Sequence, residues 1–182
     1  MITRRLIALL MFCVLLFAAG CGGSGKAGSP QGDSGSKETT AKGLVDPGTL
    51  LTKAEAEAFL GEPVKDPDLK DTKNPLGQKI CFYAPVSDTA ARFIQLSLVQ
   101  NEGMSKSQRD SGYTVKQLYE DTKKNLTDAK PVAGIGDDAF WGTNGLHILK
   151  GNVYLNISVG NSSKPESLEL AKKVAEKALP RL

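Results

Sequence analysis

The sequence predicts an α+β fold over residues 44–182: an antiparallel sheet of about five strands, ending in a C-terminal three-stranded meander, with helices packed on one face. Two observations predict the sheet. Asn144-Gly145 and Gly151-Asn152 punctuate short β-patterned runs, and Asn-Gly strongly favours a tight hairpin because both central residues tolerate positive φ. From Phe93 to Val99, Ile94, Leu96 and Leu98 alternate with Gln95 and Ser97, the pattern of a half-buried strand. The third observation is a set of helix start signals at Thr52, Thr114 and Ser163. The resulting order is helix, two strands, helix, three strands, helix, which an antiparallel sheet covered on one face accommodates economically.

The first helix starts at Thr52, with Glu55 three residues on completing a capping box, and Gly61 stops it after Leu60. Lys79 to Ala84 is an apolar strand-like run holding Cys81, and Phe93 to Val99 is the second strand. Thr114 and Gln117 form another box, after which Val115, Leu118, Tyr119, Thr122 and Leu126 share a helical face. The meander comprises Ala139–Thr143, Leu146–Lys150 and Val153–Val159. In the last helix Ser163 and Glu166 make a third box, with Pro165 in the first turn. Leu168, Ala171, Val174, Ala175, Ala178 and Leu179 form its core-facing stripe, and Pro180 ends it. Glu62–Lys79 and Glu102–Gly112 are expected to be long irregular loops, a common place for recognition. Aromatic strand starts at Phe82-Tyr83 and Phe140-Trp141 follow helices in both halves, so a duplicated unit is the alternative to a single unrepeated sheet.

Ahead of this domain the composition is different. Arg4 and Arg5 precede twelve unbroken apolar residues, Leu6–Phe17, and then Ala18-Ala19-Gly20-Cys21. As a helix, twelve residues reach only about 18 Å against about 30 Å of bilayer hydrocarbon, so the run suits a signal-peptide core rather than a membrane span. Residues 22–43 contain seven Gly and four Ser and no aliphatic side chain larger than Ala. Such a segment buries too little to offset ordering entropy and reads as a flexible linker with a reach of about 25 Å. The expected organisation is a signal peptide at 1–20, an N-terminal segment and flexible linker at 21–43, and one globular domain at 44–182.

Charge and cysteine usage narrow the function. Five of the 23 basic and two of the 20 acidic residues lie before Leu44, leaving 18 of each in the domain. A neutral domain lacks the basic stripe of a nucleic-acid binder. Cys13 lies within the export signal and Cys21 ahead of the linker, so Cys81 is the one cysteine of the domain, with no partner inside it for a disulfide, and reads as a buried, inert thiol. One histidine, His147, is incompatible with a two-histidine metal site; it should face opposite Leu146 and Ile148, in solvent or in sheet packing. A Cys81–His147 dyad is only a formal option. Gly134-Ile135-Gly136-Asp137-Asp138-Ala139 matches a dinucleotide loop only superficially, since a strand rather than a helix follows. Asp137 and Asp138 default to turn or cap duty. No cofactor, metal or catalytic residue is assigned.

The Ala18-Ala19-Gly20-Cys21 sequence resembles the lipobox of bacterial lipoproteins, with Ala18 where Leu is commonest. That resemblance implies diacylation of Cys21 and a mature chain beginning there. With the Gly/Ser linker, Leu50–Gly61, Cys81-Phe82-Tyr83, Val132–Trp141 and the Leu170–Ala175 helix, the organisation is similar to small bacterial envelope lipoproteins grouped in domain-of-unknown-function families. These imply location and size, and offer no catalytic residues. The expectation is a lipid-anchored domain on the cell membrane or outer membrane, facing the extracytoplasmic side. It would act without catalysis on an envelope protein, a cell-wall polymer or a small ligand. Trp141, Tyr83 and Tyr154 are the candidate ligand-lining residues. Two alternatives stand beside it. One is a small hydrolase or transferase using carboxylates such as Asp137, Asp138 or Glu102; the other is a purely structural lipoprotein.

Overall fold

The computed structural model describes residues 43–89 and 92–182. The expected export signal, Cys21 and the expected linker as far as residue 42 lie outside these described residues. The chain order is α1 (Lys53–Leu60), β1 (Asp68–Asp71), β2 (Lys79–Tyr83), β3 (Ile94–Gln100), α2 (Lys106–Asp110), α3 (Val115–Asn125), β4 (Lys130–Pro131), β5 (Asp138–Gly142), β6 (Gly145–Lys150), β7 (Val153–Val159) and α4 (Pro165–Ala178). The strands form one antiparallel sheet in the order β1-β2-β3-β7-β6-β5-β4. The α+β class is therefore present, with seven strands where about five were expected.

Local signals explain most boundaries. The Thr52 hydroxyl accepts the Glu55 N–H at 3.2 Å, while the Glu55 carboxylate accepts the Thr52 N–H at 2.9 Å. Thr114 and Gln117 repeat this reciprocal pair at the start of α3. The third expected box is absent. Pro165 is the first residue of α4 and pushes its predecessor towards extended backbone, so Lys164 (φ −94°, ψ 131°) occupies the N-cap position without a side-chain bond. Asn144 (φ 71°) and Gly145 (φ 109°) make the predicted tight turn between β5 and β6. A Cβ at Gly145 would lie 2.2 Å from the Ile157 carbonyl oxygen, so close strand packing requires glycine as well.

The two missed strands are edges. β1 is Asp-Leu-Lys-Asp, exposed along its length, and β4 is a Lys-Pro pair. Charge and proline blunt a sheet edge against further pairing, and they also erase the hydrophobic alternation by which a strand is recognised.

Helices cover both faces, which corrects the expectation of cover on one. Ala56 and Leu60 of α1, with Ala171, Val174, Ala175 and Ala178 of α4, pack on Cys81, Tyr83, Ile94, Leu96, Leu146, Ile148, Leu155 and Ile157. On the other face Val115 and Tyr119 of α3 pack with Val99, Phe140, Leu149 and Tyr154. The cause lies in β6. Leu146 and Ile148 point to the α4 side, while His147 and Leu149 point to the α3 side, and all four are buried. A strand apolar in both registers needs cover on both faces. Each fully buried Leu or Ile contributes roughly 1.5–3 kcal/mol, so leaving either register in water would be costly. The first helix of each half thus packs on opposite faces. A duplicated unit joined by the antiparallel β3–β7 pair would place them on the same face, so the single-sheet alternative holds.

Candidate functional site

The α3 face is only partly roofed. Between α3 and the sheet lies a cavity of about 220 Å³, lined by Gln78, Ser97, Asn144, His147, Tyr154 and Asn156, with Leu118 and Thr122 of α3 above and Leu76 and Val99 beside them. Leu118 and Thr122 belong to the predicted sheet-facing stripe of α3. Leu76 and Gln78 are carried in by the turn before β2. There Gly77 (φ 63°) passes so close to Gly103 that a Cβ would sit 1.9 Å from its carbonyl oxygen.

The cavity floor comes from cross-strand rows. Ser97 on β3 stands opposite Asn156 on β7, which stands opposite His147 on β6, which in turn faces Phe140 on β5. His147 is 4% exposed and its ring stacks on Phe140 with centroids 4.4 Å apart and planes 6° from parallel. Its Nε2 lies 2.9 Å from the Thr143 carbonyl oxygen, and its Nδ1 lies 2.5 Å from the Tyr154 hydroxyl. A carbonyl only accepts. Nε2 therefore carries the proton, and Nδ1 accepts from Tyr154. Burial lowers the His147 pKa, against opposing contributions from the Thr143 carbonyl and Asp128, and holds the ring neutral. The Tyr154 phenol is pushed up to about 12 by burial. The imidazole and phenol are thus fixed as a neutral donor–acceptor pair.

Around this pair the side chains are amides and hydroxyls. Gln78 Nε2 donates to Ser97 Oγ at 2.7 Å. Asn156 Nδ2 donates to the Asn144 and Leu146 carbonyls at 3.2 and 3.4 Å. Ser158 donates to the same Asn144 carbonyl. Tyr119 completes the neighbouring aromatic group, tilted against Phe140 at 5.3 Å and edge-on to Tyr154 at 5.7 Å. Its buried hydroxyl has no hydrogen-bond partner among the described residues. Burial and the nearby negative charge of Asp138 raise its pKa.

Comparison with protein-family models, curated proteins and solved structures finds no match for this chain. The site is therefore built from its own residues.

The three aromatic residues singled out in the sequence do not form one groove. Tyr154 lines the cavity. Tyr83 is fully buried on the α4 face, where its hydroxyl donates to the Leu51 carbonyl. Trp141 is half-buried and also packs against the α4-side core. Tyr83 and Trp141 thus lie on the opposite side of the sheet from Tyr154. The reason is parity: Trp141 follows Phe140, and Tyr83 shares its register with Cys81.

The chemistry considered for other residues is equally constrained by placement. Cys81 is buried on the α4 face, where desolvation raises its pKa, so the sheet separates it from His147 and no dyad forms. Asp137 accepts the Gly151 N–H at 2.7 Å, which is turn duty. Asp138 pairs with Lys123 at 2.6 Å, and that ammonium lowers its pKa. Glu102 is exposed in the short turn after β3. These acids share no partner and do not converge. Among the described residues no group of three His, Cys, Asp or Glu is placed to hold a metal ion.

Sequence reasoning missed Gln78, Ser97, Asn144, Asn156 and Ser158 as a group. Tyr154, Asn156 and Ser158 recur at two-residue steps, so the polar face of β7 was readable. Which helix would stand over it was not.

Proposed function

We propose that this chain is a lipid-anchored, extracytoplasmic, non-catalytic binding domain, and that its ligand is a small, polar, uncharged molecule held between α3 and the sheet. The observation that carries this is the composition of the cavity. None of its ten lining residues is charged, although Asp, Glu, Lys and Arg make up 24% of the chain. A charged ligand would leave water with no compensating partner there, whereas a neutral polar one meets amides, hydroxyls and a neutral imidazole. Of the acids considered for a carboxylate hydrolase, Asp137 is engaged in a turn, Asp138 in an ion pair, and Glu102 is exposed apart from them, which favours binding over catalysis. The lipobox resemblance at Cys21 supplies the location.

The reading is tested by differential scanning fluorimetry of the full chain in detergent micelles, against small polar compounds in matched neutral and ionised forms. Neutral members raise Tm, and Thr122→Phe, which fills the cavity from α3, abolishes the response. A panel in which only ionised compounds stabilise the protein, or a response that survives Thr122→Phe, overturns it.

A further inference from the structure

The cavity beneath α3 has a neighbour at Asn144. A second cavity of about 160 Å³ shares Asn144 and runs along β7 past Thr143, Gly145, Ser158 and Gly160 to Phe93. Phe93 is paired with Phe82 at a centroid distance of 5.3 Å, so an aromatic surface closes this end. The second cavity also has no charged residue in its lining. Side by side at Asn144, the two neutral polar cavities form the two halves of a candidate groove, with Tyr154 and His147 lining one half and Phe93 the other.

Position in the sheet limits how a ligand is recognised there. The groove lies over β3 and β7, third and fourth in the seven-strand order, and their main-chain groups are engaged in the ladder. An extended peptide that binds by strand addition needs an open edge, and this groove offers none. Recognition falls to side chains, and these carry unused capacity of both signs. The Ser97 hydroxyl accepts from Gln78, and its own proton has no acceptor among the described residues, although the residue is only 5% exposed. Gln78 has a second amide N–H beyond the one given to Ser97. The Asn156 carbonyl oxygen, 3.3 Å from Ser158 Oγ, keeps at least one lone pair, as does the Tyr154 oxygen. Alternating donors and acceptors suit hydroxyl groups, which are both at once, and an aromatic surface suits the apolar face of a sugar ring.

Resting on the binding reading above, we infer that the groove takes a neutral oligosaccharide, with one sugar unit beside Tyr154 and the next against Phe93. The test is isothermal titration of the full chain in detergent micelles with neutral gluco-, galacto-, arabino- and N-acetylglucosamine trisaccharides, the corresponding monosaccharides, and N-acetyl-Ala-Ala-amide as a neutral peptide. One trisaccharide series binds at least about tenfold more tightly than its monosaccharide, because two cavities are filled instead of one. Asn156→Ala weakens both by about tenfold, a lost hydrogen bond's worth, while Phe93→Leu weakens the trisaccharide more than the monosaccharide. Ser97→Ala serves as a second groove variant should Asn156→Ala not retain the parent Tm. A trisaccharide that binds no better than its monosaccharide overturns the two-unit groove. Binding of the capped peptide with no saccharide bound overturns the ligand class and leaves the neutral-ligand reading intact. Silence from every neutral probe removes both.

Discussion

His147, the sole histidine, is positioned by its stacking on Phe140, the Thr143 carbonyl at Nε2 and the Tyr154 hydroxyl at Nδ1, and burial favours its neutral form. Its folded pKa lies below the ordinary 6.5 because burial disfavours the charged form. Below pH 6.5 the unfolded chain therefore takes up a proton that the folded chain refuses. The contribution to stability is complete above pH 6.5 and is lost as pH falls towards the depressed folded value. The parent protein should show a urea midpoint that declines between pH 7.5 and 5.5. His147→Gln should cost about 1–3 kcal/mol at pH 7.5, through the stranded Tyr154 donor, and lose most of that decline. Equal slopes for the two proteins over this range would show that the ring is not kept neutral by the fold. The same placement bears on the proposed function: burial that favours the neutral ring leaves the cavity lining without a charge.

At the level of elements, α1 is fixed at its first turn by two devices acting on one carboxylate. Glu55 closes the capping box with Thr52, and it receives Arg181, beyond α4, through two guanidinium bonds at 2.6 and 2.7 Å. Arg181 also donates to the Leu50 carbonyl at 2.9 Å, so it ties the last turn of the chain to the entry of the first helix. Foremost through Arg181, the Glu55 pKa is lowered from 4.5 to about 2. A depressed carboxyl stabilises the fold above its unfolded value and stops doing so as pH falls through its folded one. In urea titrations Arg181→Ala should fall below the parent at pH 7, with the gap narrowing from pH 4.5 and closing near pH 2. Thr52→Ala should cost about 1 kcal/mol, the usual worth of an N-cap. A gap between parent and Arg181→Ala that is constant with pH would mean the guanidinium acts through packing alone. Thr52 and Glu55 show what local sequence discloses, since a cap is settled by four consecutive residues. The Arg181 contact is 126 residues away and has no local signature. Sheet order and helix placement are similarly non-local: the hairpins at Asn144-Gly145 and Gly151-Asn152 were legible, whereas the pairing of β3 with β7 and the crossing of α3 to the second face were not. The cavity depends on that crossing, which is why the sequence singled out Tyr154, one of its lining residues, but not Ser97 and Gln78, brought to it from β3 and a turn.

For the molecule as a whole, anchoring and folding should be separable. Among the described residues, the buried members of both clusters lie at or after Leu50, with Val45 packed against the first, on the two faces of a sheet whose first strand is Asp68–Asp71. The domain from residue 44 carries 18 basic and 18 acidic residues, so a general electrostatic attraction to an anionic membrane surface would hold it weakly if at all. Under the proposed anchoring at Cys21, retention at a membrane would depend on acyl chains, where each buried methylene contributes about 0.8 kcal/mol and two chains hold far better than one. Cys21→Ser should abolish incorporation of a palmitate analogue and move the protein from the detergent-rich to the aqueous phase on detergent partitioning. The same variant should keep the parent Tm and the parent response to neutral polar ligands, because the cavity residues from Leu76 to Asn156 are untouched. A variant that remains in the detergent-rich phase would remove Cys21 as the anchor. Loss of ligand response together with unchanged folding would tie the N-terminal segment to the groove, and so contradict its separation from the binding domain.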